Sequence, residues 1–339
     1  MCNQGFKEQH MRILVIGCGS IGKRHIGNLV SIKAGEIFAF DINKQRLKEA
    51  KKISRSVVTS YNLDKLWEVG IDAVFIAVPT ALHVQYALES ARRGCHLFVE
   101  KPLSHNMQGL NKLLRVVAHK RLITFVGYNY RFNSCVIKMK EFLKNKTIGK
   151  LIAGQIHFGS YLPERHPWED YRSGYGAQKK LGGGVTLDAM SHHLNALIFM
   201  LGQPKKVLGS VSKRSDLEID VDDTADVLVK FPDNVVINLH GNSVRRPYKC
   251  VYELIGDNGT ILCDLVRNTL KYYNVGDRKW VTFYGGRDAN MAYISEIKYF
   301  IKCIKKNILS SMDISVAKKE LEILMEIKKS SHMQKWIKV

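Results

Sequence analysis

The 339-residue sequence predicts an α/β protein in two parts: a doubly wound parallel sheet over residues 11–128, then an α+β domain with a mostly antiparallel open sheet over residues 129–339. Three observations predict it. Short apolar runs alternate with helical stretches up to Gly127, a glycine-rich turn follows the first of those runs, and beyond Gly127 successive strands are divided by tight turns. Strands joined through helices take right-handed crossovers and lie parallel. Strands joined by tight turns lie antiparallel.

Arg12-Ile13-Leu14-Val15-Ile16 is the apolar run of a strand buried on both faces. Helical spacing follows from Ile21 to Lys33, then a second strand, Ile37–Phe40, ending in Asp41. Asn43 to Lys52 reads as a polar helix, Val57-Val58 and Asp72–Val78 as strands with a helix from Leu63 between them, and Ala81 to Arg93 as a helix stopped by Gly94. His96–Val99, a helix from Asn106 to His119 and a strand at Leu122–Val126 complete the first part. In the second part, strands are expected at Leu151–Tyr161, Lys206–Ser212, Thr224–Phe231, Val235–Ser243, Cys250–Ile255, Ile261–Leu265 and Leu270–Tyr273. Pro232-Asp233-Asn234 and Gly256-Asp257-Asn258-Gly259 supply turns between some of them. Helices at 133–146, 185–201, 289–307 and 315–331 are expected to cover one face of this sheet and leave the other for a subunit contact.

Composition narrows the class. Hydrophobic residues at 45% and charged residues at 24% are ordinary for a globular chain. No apolar run approaches the ~18 to 20 residues needed to span a bilayer, and residues 1–10 read as a disordered leader with no signal-peptide pattern. The seven cysteines are scattered and never form C-x-x-C, which suits free thiols in a reducing cytoplasm rather than disulfides or zinc. No metal is expected: His192 and His193 are adjacent, so on a helix they point about 100° apart. The net charge of +21 attracts polyanions. The lysines are nevertheless spread over helix faces and no nucleic-acid-binding motif accompanies them, so neither a specific nucleic acid nor a membrane is expected as partner.

Gly17-Cys18-Gly19-Ser20-Ile21-Gly22 fits G-x-G-x-x-G between a strand and a helix, the context in which that pattern cradles a pyrophosphate in a Rossmann sheet. Gly17 permits the turn, Gly19 a close backbone approach, and Gly22 the packing of helix on strand. Asp41, 19 residues beyond Gly22, is placed for the adenosine ribose hydroxyls and would repel a 2′-phosphate, favouring NAD over NADP. Glu100-Lys101-Pro102 directly follows the run Leu97-Phe98-Val99, so Lys101 stands at the ligand-binding end of a buried strand. Its ammonium can hold or move a proton on a substrate oxygen.

Gly182-Gly183-Gly184 precedes an apolar helix in which Asp188 and His192 are spaced i, i+4 on one face. An aspartate there can orient an imidazole as general base. The competing reading is a local hydrogen bond that only stabilises the helix. The segment from Tyr161 to Arg172 is rich in aromatic and polar groups. It suits a loop in which Trp168 stacks on a sugar face and Arg165 or Arg172 binds a carboxylate or phosphate, or equally a loop packed on its own aromatics.

Together these stretches resemble the glucose-fructose oxidoreductase / inositol dehydrogenase / MocA family. The resemblance rests on the glycine loop, Ala77-Val78-Pro79-Thr80 with His83, Glu100-Lys101-Pro102, and the glycine run leading to Asp188 and His192. It covers nearly the whole chain from Met11 and implies a two-domain dehydrogenase. NAD would lie on Gly17, Gly19, Ser20, Ile21, Gly22, Asp41, Pro79, Thr80, His83, Glu100 and Lys101. A sugar-like alcohol or ketone, anionic if the arginines act on it, would meet Lys101, Tyr128, Arg131, Arg165, Trp168, Arg172, Asp188 and His192. Lys101, Asp188 and His192 would be catalytic, with Asp188 orienting His192. Asn195 stands where many relatives carry an acid, which would alter substrate contacts. A homodimer or homotetramer is expected through the exposed face of the second sheet. An amino sugar, sugar acid or nucleotide sugar is favoured over free inositol. A myo-inositol-type polyol dehydrogenase and a non-catalytic dinucleotide-binding regulator remain as other readings.

Overall fold

The computed structural model describes residues 11–276 and 278–339. The expected leader at residues 1–10 lies outside them.

Strands β1 (Arg12–Ile16), β2 (Glu36–Phe40), β3 (Val58–Ser60), β4 (Ala73–Ile76), β5 (His96–Glu100) and β6 (Thr124–Gly127) form a parallel sheet in the order β3-β2-β1-β4-β5-β6. Ile13, Leu14, Val15 and Ile16 are fully buried, which is why this strand has no polar alternation. The strand order reverses between β1 and β4, opening a crevice at the carboxyl ends of both. Helices α1 (Ser20–Ser31), α2 (Lys44–Ile53), α3 (Leu63–Trp67), α4 (His83–Arg92) and α5 (Leu110–His119) connect the strands. Helix α5 starts at Leu110 rather than Asn106, because Gly109 before it takes the left-handed φ of 77°.

The second sheet has nine strands: β7 (Leu151–Tyr161), β8 (Lys206–Ser212), β9 (Thr224–Lys230), β10 (Val236–Asn242), β11 (Val244–Gly256), β12 (Gly259–Asp264), β13 (Thr269–Asn274), β14 (Lys279–Tyr284) and β15 (Ile337–Lys338). Their order is β14-β13-β12-β11-β7-β10-β9-β8-β15, antiparallel throughout except for the parallel pair β7–β10. Three features escape the local pattern. Strand β14 is an edge with little of it buried, so it lacks alternation, and β15 is only two residues long. The first half of β11, Val244-Arg245-Arg246-Pro247-Tyr248-Lys249, carries charges and a proline because it bulges. Val244 pairs with Tyr161 and Lys249 with Gly159, so four residues of β11 stand against one of β7.

Helices α6 (Ser134–Lys144), α7 (Ser191–Leu201) and α9 (Ile314–Met333) lie with the second sheet, but α8 (Met291–Lys306) does not. This corrects the expectation for residues 289–307. Helix α8 lies beside α1 on the aromatic face of β4–β6, with the Phe300 ring 5.7 Å from both Phe75 and Phe98, which stack on each other at 4.5 Å. Its stripe of Ile297, Phe300 and Ile301 is as buried as a core strand, and burying rings of this size outweighs chain proximity in choosing the partner.

Candidate active site

The carboxyl edge of the first sheet collects the expected cofactor residues. Gly17 has φ +95° and a Cβ there would stand 2.4 Å from the Ala77 carbonyl oxygen; a Cβ on Gly22 would stand 1.8 Å from that of Gly17. Above Gly19 nothing lies within 4 Å. The first hydrogen bond of α1 runs from the Lys23 N–H to the Gly19 carbonyl (2.9 Å), so the N–H groups of Ser20, Ile21 and Gly22 precede the helix ladder. An open floor under free N–H groups at a helix start fits a pyrophosphate. Asp41, 5% exposed at the end of β2, accepts the N–H of Cys18 and of Asn43, each at 2.7 Å. Each of its oxygens keeps capacity for a further donor, so it fits a ribose diol and disfavours a phosphate there. Pro79 and Thr80 follow β4 at the same edge.

Glu100 and His83 reach this edge but face inward. Glu100 is 7% exposed, its Oε1 2.6 Å from Nε2 of the fully buried His25 on α1, while its Oε2 accepts the Lys101 N–H at 3.2 Å. His83 is held between the carbonyls of Pro102 and Val78, both at 2.9 Å. His83 ties the turns after β4 and β5 together, and Glu100 anchors the strand end that carries Lys101. The Lys101–Pro102 peptide is cis.

Lys101, Asp188 and His192 meet on the wall of one cavity of about 510 Å³. Lys101 comes from the end of β5, the other two from the helical turn at Thr186–Met190 and the start of α7. The Lys101 Nζ donates to the Asp188 backbone carbonyl (2.8 Å) and Oδ1 (3.0 Å). Tyr175 donates its hydroxyl to Oδ1 at 2.5 Å, and Arg165 Nη1 donates to Oδ2 at 2.7 Å. Burial pushes the Asp188 carboxyl up, but the Lys101 and Arg165 charges and the Tyr175 and Lys101 hydrogen bonds more than offset it and hold it well below the usual range. Burial, then the Asp188 charge, pushes the Tyr175 phenol up, so it remains a donor.

The i, i+4 spacing does bring Asp188 and His192 to one cavity, yet no hydrogen bond joins them among the described residues, correcting the orienting role expected of Asp188. Three donors already occupy its oxygens. His192 is held by stacking on Tyr130 (4.7 Å between ring centroids, 25° between planes). Its Nδ1 is enclosed without a partner, and the residue lines the cavity. Burial pushes the His192 imidazole well down, and the Lys101 charge and His193 push it further, so the ring is neutral.

Of the other expected substrate contacts only Arg165 lines this cavity. Tyr128 is 1% exposed and packed in the core. Arg131 is drawn into a buried network, its Nε donating to Asn195 Oδ1 (2.8 Å) and its Nη2 to Glu320 Oε1 (3.0 Å). Asn195 in turn donates to Glu320 Oε2 at 2.6 Å, so it bridges two structural charges rather than touching a substrate. Breaking such a buried pair costs about 3–5 kcal/mol, a structural rather than a binding contribution. Trp168 is 73% exposed, its ring set edge-on to His166. Arg172 is exposed and pairs with Asp170 and Glu218. For both, the loop folds on its own groups and turns these side chains to solvent.

Tyr130, Tyr175, Arg245 and Tyr248 were not foreseen. Tyr175 had a signal, lying between Gly174 and Gly176 just before the glycine run, where a Cβ on Gly183 would stand 2.3 Å from the Tyr175 carbonyl oxygen. Tyr130 and the two β11 residues had none, since the bulge and the stacking are tertiary.

The sequence profile of an oxidoreductase family with an NAD-binding Rossmann fold matches residues 11–128, and that of the GFO/IDH/MocA C-terminal domain matches residues 136–262. The chain is similar to a myo-inositol 2-dehydrogenase of Thermotoga maritima, 31% identical over 310 residues that span 87% of this chain and 88% of the relative. It is also similar to a glucose-6-phosphate 3-dehydrogenase of Bacillus subtilis, 23% identical over 72% of this chain and 71% of the relative. In fold it matches a levoglucosan dehydrogenase solved with NADH and levoglucosan, at a TM-score of 0.87 and 20% identity over 98% of this chain and 100% of the other.

Proposed function

We propose a reaction from one premise: the chain belongs to the GFO/IDH/MocA family of NAD-binding oxidoreductases. It is an NAD-dependent oxidoreductase of sugar-like substrates, and the reaction proposed is reversible oxidation of a secondary alcohol on a pyranose-like ring. The observation that carries this is the convergence of Lys101, Asp188 and His192 on one cavity wall. Bound NAD supplies the hydride acceptor. The chain does the rest. Lys101 has three N–H bonds, two of them on Asp188, and the third is free for the reacting oxygen, where it stabilises developing negative charge. Neutral His192 accepts the hydroxyl proton at Nε2. Asp188 holds Lys101 and Arg165 in register across the two parts of the chain.

An NADH-absorbance screen of matched sugars, sugar acids, sugar phosphates, nucleotide sugars and inositols tests the proposal. Turnover with at least one ring alcohol or ketone is expected. NADH binding without turnover across the whole panel would favour the regulator. The polyol reading is kept because of the similarity to the Thermotoga inositol dehydrogenase, and inositol as best substrate would establish it.

The same proposal includes a homo-oligomer in a reducing cytoplasm, paired through the open face of the second sheet. That face carries Gln155, His157, Asn238, His240 and Glu253 in register. Among the described residues six cysteines are buried free thiols, and no helix is long and apolar enough to cross a membrane. Sedimentation velocity at micromolar concentration reads the mass.

A further inference from the structure

We propose that Arg245 forms an anion subsite in the catalytic cavity, so that the substrate is a sugar carrying a carboxylate or a phosphate. This rests on the oxidoreductase reading of the same cavity. Five charged side chains line the wall: Lys101, Arg165 and Arg245 against Asp188 and Glu164. The charges of Lys101 and Arg165 are both paired with Asp188, and the N–H that Lys101 has to spare is taken by the reacting oxygen in the proposed reaction. Glu164 is matched from outside by Arg246, whose Nε donates to it at 2.6 Å and whose guanidinium lies 3.2 Å from the centre of the Tyr161 ring. Arg245 has no ion pair or hydrogen bond among the described residues, and its Nε is enclosed without a partner. Burial holds His193 down at about 3, helped by Lys101, and His192 is neutral too, so neither of these two imidazoles adds charge at neutral pH. The cavity therefore carries surplus positive charge, with one guanidinium left free to bind.

The backbone is built to aim this residue. The β11 bulge lifts residues 245–248 out of the ladder beside β7, as bulges next to binding sites commonly do. Opposite stands Gly159, where a Cβ would come within 3.0 Å of the Arg245 Cβ. A larger residue there would displace the stem of Arg245. A half-buried guanidinium whose enclosed Nε is unsatisfied recognises a planar pair of oxygens through two parallel N–H donors. A neutral hydroxyl would leave it undercompensated.

The test titrates NADH-loaded enzyme by calorimetry with D-glucuronate, D-glucose 6-phosphate and D-glucose at fixed ionic strength. At least one anion is expected to bind about 10- to 100-fold more tightly than glucose, and the preferred one separates carboxylate from phosphate. Arg245→Gln should remove that preference for the anion. The subsite is overturned if neither anion outbinds glucose, or if the preference survives Arg245→Gln. Turnover is read in parallel. Arg245-dependent binding without turnover of any probe counts against the redox reading and leaves the subsite standing. Turnover of neutral sugars with no preference for charge does the reverse.

Discussion

Replacing Lys101 with methionine is expected to lower kcat by about 10²- to 10⁴-fold on whichever sugar is turned over, with the Kd for NADH close to that of the parent. The size follows from the single N–H that Lys101 has to spare. That bond strengthens as the reacting oxygen gains charge, so its loss falls on the transition state more than on the bound ground state. Collapse of the fold does not account for such a drop, because Asp188 keeps Arg165 at 2.7 Å and the Tyr175 hydroxyl at 2.5 Å as donors. Steady-state kinetics, NADH fluorescence titration and a melting curve on the same preparation separate the outcomes. Near-normal kcat in the variant would remove Lys101 from the chemistry. A loss confined to KM would make it a binding residue only.

A single added methyl group should have opposite consequences at two glycines three residues apart. At Gly19 the backbone is ordinary (φ −67°) and nothing lies within 4 Å of the added Cβ. Gly19→Ala should therefore fold with an unchanged melting temperature. The methyl group would occupy the floor offered to the pyrophosphate and raise the Kd for NADH at least about tenfold, or about 1.4 kcal/mol. At Gly22 the added Cβ would fall 1.8 Å from the Gly17 carbonyl oxygen. That atom is backbone and cannot rotate away, so Gly22→Ala should lose about 1–3 kcal/mol of stability or more before any question of binding arises. Scanning calorimetry and NADH titration of both variants check the pair. If Gly19→Ala binds NADH as tightly as the parent, the dinucleotide does not lie on this loop.

Local pattern carried the fold a long way. Buried parallel strands such as Ile13–Ile16 announce themselves by lacking polar alternation, and the glycine loop by its position between strand and helix. The pairing of Lys101 with Asp188 was legible only in part. Each was visible as a candidate, but Asp188 was assigned to His192, its neighbour in sequence, rather than to Lys101, its neighbour in space at 3.0 Å. The loop at 161–172 stayed open between two readings for a related reason. Its aromatic and basic composition suits a ligand whether the side chains point in or out, and here Trp168 and Arg172 point out.

By itself the sequence determined the two kinds of sheet, the glycine loop between strand and helix, and the identity of the amine and imidazole that the fold brings to one cavity. Those properties follow from hydrophobic period, glycine spacing and residue type, which act over a few neighbours along the chain. Only the tertiary structure decided which charges were already spent. Arg131, Arg165, Arg172 and Arg245 look alike in sequence, yet Arg131 is joined to Glu320, Arg165 to Asp188 and Arg172 to Asp170, while Arg245 has no such partner among the described residues. A guanidinium is committed or available according to what the fold brings within about 3 Å of it and how far it is withdrawn from water, and neither quantity is a property of the neighbouring letters.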